Sequence, residues 1–281
     1  MKEYRIRQEV ARRLTEITAG GRTGRGPSSL CADDVWSRAL SLIGGRERVA
    51  VISGFYVPSA SAPETDGPPG ALVLARALRS LGHDAEVWTD SLCVDCFRAC
   101  ADSLGLPRSI VRDVSSGAVP SEELLIYVER LGRASDGVYY NMRGEDVTRW
   151  TAPLDGLASV GGTPVIAVGD GGNEVGMGSL RGPLSGIMRD YAMCLCSVEA
   201  DVCIPVDVSN WGAYALVAAL SSSVGKWLGQ SEEEDALMLE ALLESGAVDG
   251  VTRVGGMSVD GMDMEEHLKV RSELEKLVFA G

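Results

Sequence analysis

The sequence predicts an α/β fold: a mostly parallel sheet with helices on both faces, arranged as a Rossmann-like three-layer sandwich. Three observations predict it. Short continuous apolar runs have strand length, stretches of helical periodicity separate them, and glycine- and acid-rich loops follow several of the runs. Strands buried on both faces read as unbroken apolar runs, whereas one-sided sheets alternate, so the pattern calls for crossover helices.

Taken in order, residues 1–30 form an N-terminal amphipathic helix and a flexible segment, and residues 31–281 a single α/β domain. The helix carries Ile6, Val10, Leu14 and Ile17 on one face. Residues 20–29 (GGRTGRGPSS) are flexible by composition. Strands are expected at 49–54 (VAVISG), 85–90 (AEVWTD), 109–114 (SIVRDV), 123–130 (ELLIYVER), 164–170 (PVIAVGD) and 201–209 (DVCIPVDVS). The run at 123–130 would also suit a short helix. Helices are expected at 70–81, through Cys93, Cys96 and Cys100, and at 211–228, 232–245 and 264–279. Ligands of open α/β sheets bind beyond the carboxyl ends of the strands. Gly54, Asp90, Arg130, Asp170 and Ser209 should therefore mark one functional rim.

Composition removes several function classes. A net charge of −14 leaves no basic stripe to neutralise phosphates, which excludes nucleic acid and an anionic membrane surface as partners. No apolar run reaches the ~20 residues of a membrane span. The first residues combine basic side chains with Glu3, Glu9 and Glu16 and lack the apolar stretch of a secretory signal, so the expected location is cytoplasmic. Seven cysteines without a secretory signal argue against a disulfide framework, and a single C-x2-C does not make a zinc site. With His83 and His267 the only histidines, a Ser-His-Asp triad or a histidine-rich metal site is poorly supported.

Three loops carry the chemistry. In the first, ETDGPPGA, Pro68 and Pro69 suit the start of a helix, where backbone donors are free. The N–H groups from Gly70 to Leu72 are then expected to face outward as an anion site, with Thr65, Asp66 and Gly67 beside it. Asp66 read alone would be a helix cap. The second loop, GDGGNEVGMG, fits neither the dinucleotide fingerprint nor the Walker A pattern. It places Asp170, Asn173 and Glu174 on a backbone that Gly171 and Gly172 allow close to a ligand. These groups could hold Mg²⁺ or Mn²⁺, or supply an acid/base pair. The third, ERLGRASDGVYYNMRG, brings Glu129 at a strand end, then Asn141 and Arg143, the latter a candidate carboxylate clamp. In SNWGAY, Asn210 reads as a helix cap and Trp211 as core.

TDGPPGA (65–71), ERLGRASDGVYYNMRG (129–144) and GDGGNEVGMG (169–178), in this order, resemble the D-glutamate cyclase family, specifically its C-terminal domain. SNWGAY and the VDG at 259–261 fit the same pattern, and the resemblance runs from about Leu42 onward. It implies a lyase of D-amino acid metabolism, a hydro-lyase closing D-glutamate to 5-oxo-D-proline with loss of water. In longer members a domain of this type follows a hydro-lyase-like domain, so a separately encoded partner of that kind, or a homo-oligomer, is an expected assembly.

The ring closure is intramolecular and needs a base, an acid and donors for the oxyanion, but no cofactor. Asp170 and Glu174 are expected as the acid/base pair or as metal ligands with Asn173, and Arg143 as the clamp on the α-carboxylate. Gly70 and Ala71, with Thr65 and Asp66, would face the oxyanion or the amine. Asn141 and Asn173 would orient the substrate, with Gly67, Glu129, Gly171, Gly172 and Asn210 lining it. Two other readings stay open: an amino-acid-binding or regulatory module for a partner enzyme, and a metal-dependent enzyme acting on another small acid.

Overall fold

Val10, Leu14 and Ile17 recur at helical spacing and are buried on one face of α1 (Gln8–Thr18) in the computed structural model, which describes residues 2–115, 117, 122–160 and 162–280. Ile6 precedes the helix and packs against the same core only in part. The following segment is not loose. Asp207 accepts the N–H groups of Gly21 at 2.9 Å and Arg22 at 3.0 Å, which anchors residues 20–25 to the far end of the chain. Composition misleads here because glycine permits the turn that brings these donors to one carboxylate.

Beyond α2 (Val35–Gly44) the chain alternates strand and helix. It runs through β1 (Arg48–Ser53), the pair β2 (Tyr56–Val57) and β3 (Ala62–Pro63), α3 (Pro68–Ser80), β4 (Asp84–Thr89), α4 (Val94–Ser103) and β5 (Val111–Asp113). It continues through β6 (Leu124–Val128), β7 (Val165–Gly169), α5 (Arg181–Ile187), β8 (Val202–Pro205), α6 (Ser209–Val224) and α7 (Glu232–Glu244). The short pair β9 (Ser258–Val259) and β10 (Met262–Asp263) and then α8 (Met264–Phe279) complete it. The run at 123–130 is a strand, as its β-branched and aromatic content favours. Strand 201–209 is shorter than expected: β8 stops at Pro205, and Ser209 and Asn210 open α6 instead of ending a strand. Pro205 has no N–H to continue the ladder.

Six strands form one parallel sheet in the order β5-β4-β1-β6-β7-β8. Numbered along the sheet's own chain order this is 3-2-1-4-5-6, the Rossmann arrangement, with its topological switch between β1 and β6. Alternate residues of each strand enter different cores. Val51, Val87, Ile126, Val168 and Ile204 face the helices, while Ile52, Trp88, Tyr127 and Ala167 face the opposite side. That second side is covered by 3-10 turns at Leu154–Ser159 and by extended loops more than by long helices. Gly212 lets α6 lie directly on β7, since a Cβ there would fall 2.4 Å from Val168 Cγ1.

Both histidines belong to the packing. His83 bonds Tyr4 Oη and the Arg46 carbonyl, and His267 receives the Trp211 indole N–H at 2.7 Å. All seven cysteines are free, with Cys93, Cys96 and Cys100 buried in the helical core. Among the described residues no helix is long and apolar enough to cross a membrane.

Candidate active site

The carboxyl ends of β1, β6, β7 and β8 release their chains at one rim, and four acids converge there from distant sequence positions. Glu129 directly follows β6, Asp170 directly follows β7, and Glu64 and Asp66 lie between β3 and α3. Glu129, Asp170 and Glu64 line a cleft of about 220 Å³ together with Asn141, Arg143, Asn173, Glu174, Asp260 and Arg25. Asp66 sits behind this wall, 1% exposed. Oxygens of Asp66, Glu129 and Asp170 all lie within 4.8 Å of one another, and among the described residues no other group of three potential metal ligands clusters in this way.

Ser209, the first residue of α6, ties the cluster together. Its backbone N–H is shared between Asp66 Oδ2 at 3.0 Å and Asp170 Oδ2 at 3.1 Å, and its hydroxyl donates to Glu129 Oε2 at 2.6 Å. Orphan donors at a helix N-terminus suit carboxylates. Glu129 holds its position at φ +45°, a left-handed conformation that costs a non-glycine residue energy and recurs at functional sites.

Burial pushes Asp66 and Glu129 well above the usual carboxylate range, and the Asp170 charge beside each pushes them further. Burial also raises Asp170, but the Arg25 guanidinium opposes the shift from 3.0 Å. The Asp66 and Asp170 carboxyls meet at the Ser209 N–H, which both accept. Two adjoining carboxyls resist double ionisation, and Arg25 favours the charge on Asp170. Arg25 also pairs with Asp260 and donates to the Asp207 carbonyl at 3.3 Å. Burial works against its charge, yet the carboxylates led by Asp170 outweigh burial and raise its pKa.

The glycine-rich loop after β7 is organised by Glu174. Its carboxylate turns back to accept the N–H groups of Gly171 and Gly172, each at 2.7 Å, and that of Asp170 at 3.3 Å. Burial, followed by the Asp170 charge, pushes it up to about 7. Asn173 Nδ2 donates to the Tyr140 carbonyl at 2.8 Å, joining this loop to the one that carries Asn141. Asn141 spends its amide on Glu145 and on the Arg143 and Glu145 N–H groups. Arg143 stands exposed at the mouth, where its guanidinium donates to the Val251 carbonyl at 3.0 Å.

The expected residues thus divide. Glu129, Asn141, Arg143, Asp170, Asn173 and Glu174 line the cleft. Thr65, Asp66, Gly67, Gly70, Ala71, Gly171, Gly172 and Asn210 lie behind the lining. The start of α3 is not an open anion site. Asn210 Oδ1 accepts the Gly70 N–H at 2.8 Å and the Gly67 N–H at 3.1 Å, and Ala71 donates to the Gly67 carbonyl. Thr65 donates its hydroxyl to the Ser258 carbonyl. Metal-capable oxygens gather at Asp66, Glu129 and Asp170, whereas the carboxylate of Glu174 is already occupied by backbone donors. Arg25 is a site residue that motif reading does not find, because it lies in a stretch read as a linker. Glu64, Ser209 and Asp260 stand within ETDGPPGA, SNWGAY and VDG but carry no assigned role there.

Comparison with known proteins follows the same lines. A sequence model of the family described as D-glutamate cyclase-like, C-terminal, matches residues 14–275. Human mitochondrial D-glutamate cyclase is 28% identical over 298 residues, an alignment covering 89% of this chain and 48% of that protein. The chain therefore spans about half the length of this relative. Among solved structures, an exopolyphosphatase-related protein from Bacteroides fragilis superposes with a TM-score of 0.47 at 10% identity, covering 88% of this chain and 58% of the other. With its residues 14–275 matched and the three acid-bearing loops meeting at one rim, the chain belongs to the D-glutamate cyclase-like, C-terminal family.

Proposed function

We propose that the cleft closes an acidic amino acid, D-glutamate, into 5-oxo-D-proline with loss of water. The observation that carries this reading is the buried Asp66–Asp170 pair, whose carboxyls accept the same Ser209 N–H, with Asp170 facing the cleft and held by Arg25. Its family and its relative's name agree with a cyclase-like role.

The chemistry is a proton exchange around one new C–N bond. Asp170, kept more ionised than Asp66 by Arg25, accepts a proton from the substrate ammonium. The freed amine attacks the γ-carboxyl carbon of the same molecule. Holding the folded-back conformer replaces an encounter, an advantage on the order of 10⁵ M or more in effective concentration. The pair then returns a proton to the departing hydroxyl. The two protons that leave the nitrogen are the two that depart in water with one γ-oxygen, so the site ends as it began. Arg143 at the mouth clamps the α-carboxylate. Asp66 acts through Asp170 as a positioning residue and proton partner, and Glu174 holds the loop.

The Asp66, Glu129 and Asp170 oxygens also fit a hard cation such as Mg²⁺ or Mn²⁺. Such an ion, when bound, would polarise the γ-carboxyl group. Incubating the purified chain with D- or L-glutamate, with and without Mn²⁺, and following 5-oxoproline by NMR tests the reading. Product from the D-isomer supports it. Absence of product under all four conditions overturns it as a property of this chain alone.

A further inference from the structure

We propose that Glu64 is the carboxylate that receives the substrate's ammonium group, and so sets the preference of the cleft for an amino acid over a simple diacid. This rests on the reading of the cleft as an amino-acid site.

Glu64 is fixed before its side chain is considered. Its N–H donates to the Phe55 carbonyl at 2.9 Å, and its neighbours on both sides bond to Val248, through Thr65 N–H and the Pro63 carbonyl. The side chain lines the cleft and is only 7% exposed. Among the described residues it has no side-chain hydrogen bond or ion pair. Every neighbouring acid has one. Asp66 accepts from Ser209 and Asn210, Glu129 from Ser209, Asp170 from Arg25, and Glu174 from its own loop, while Asp260 pairs with Arg25. With no donor from the protein on it, the Glu64 carboxyl is free to take a donor from a ligand in the cleft.

The sign of that partner follows from the lining. Both cleft guanidiniums are already engaged, Arg25 on Asp170 and Asp260, and Arg143 on the Val251 carbonyl at the mouth. Among the described residues neither guanidinium bonds Glu64, and a compact cation with several donors suits its carboxyl. A primary ammonium group has three. Gly250 completes the subsite: a Cβ there would fall 1.8 Å from Glu64 Oε1, so the carboxyl occupies the space a side chain would take. An ammonium held by Glu64 lies on the Asp170 side of the cleft, with the α-carboxylate reaching toward Arg143.

The test compares D-glutamate with glutarate, the same diacid without the amine, by calorimetric titration of the wild-type chain, Glu64→Gln and Gly250→Ala. Wild type should prefer D-glutamate at least tenfold. Glu64→Gln should bind both ligands equally and keep the wild-type affinity for glutarate, which a merely structural defect would not spare. Gly250→Ala displaces the same carboxyl, should also lose the preference, and decides the question if Glu64→Gln fails to fold. Retained preference in the folded variant overturns the proposal, and wild-type turnover of D-glutamate would leave the cyclase reading standing. If wild type binds neither ligand, both fall.

Discussion

Asp66 and Asn210 each cap the other's helix. Asp66, just ahead of α3, accepts the Asn210 N–H at 2.8 Å in the first turn of α6, and Asn210 Oδ1 accepts the Gly70 N–H at 2.8 Å in the first turn of α3. The two helices are thereby locked at the ends that carry the site. Replacing Asn210 by alanine leaves the buried Gly70 N–H without an acceptor and the Gly67 N–H with Asp66 alone. We expect a loss of about 1–2 kcal/mol, as for other strong caps, measured by urea unfolding.

Asp66→Asn separates this structural role from the chemical one. The amide oxygen can still accept the Asn210 N–H, but the side chain can no longer take up or release a proton beside Asp170. Stability should change by no more than about 1 kcal/mol, while turnover of D-glutamate falls at least tenfold. Chemical denaturation and an NMR assay of 5-oxoproline check the two halves separately.

Arg25 crosses 145 residues of sequence to reach Asp170. Removing one partner from a buried pair leaves an unanswered charge and costs about 3 kcal/mol. Arg25→Ala should therefore lower the melting temperature and, by allowing Asp170 to take up a proton more readily, cut turnover as well. Arg25→Lys should restore part of both, because it returns the charge without the two-pronged contact.

The raised carboxyls set the direction of the pH dependence. Glu174 titrates near 7 in the fold against an ordinary value of 4.5, so between these values the folded state binds more protons than the unfolded one. Its contribution to stability is full below about pH 4.5 and is lost as pH rises toward 7. Asp66 and Glu129, also raised, act in the same direction. The melting temperature should fall from pH 5 to pH 7.5, and the fall should shrink in Glu174→Gln.

Much of this was legible in the sequence. The six strands appear within a few residues of the apolar runs, because strands covered on both faces leave no polar alternation to confuse them. Asp170 was legible for a similar reason: it ends a buried run and opens a glycine-rich loop that carries a second acid. What pairs with it was not. Arg25 and Ser209 meet Asp170 only through tertiary folding, and nothing local distinguishes Arg25 from any arginine in a glycine-rich stretch. Asn210 was rightly read as a cap, but local reasoning supplies only its own helix, whereas it caps α3. The same limit made the α3 N-terminus look open when Asn210 fills it.

On the proposed reading Asp170, beside Asp66, performs the acid/base work of ring closure. The most direct measurement is the rate of 5-oxoproline formation from saturating D-glutamate by Asp170→Asn, beside its calorimetric affinity for D-glutamate. Turnover should fall at least 100-fold, with binding changed less than tenfold. Turnover within a few-fold of wild type would contradict it and move the proton transfer elsewhere in the cleft.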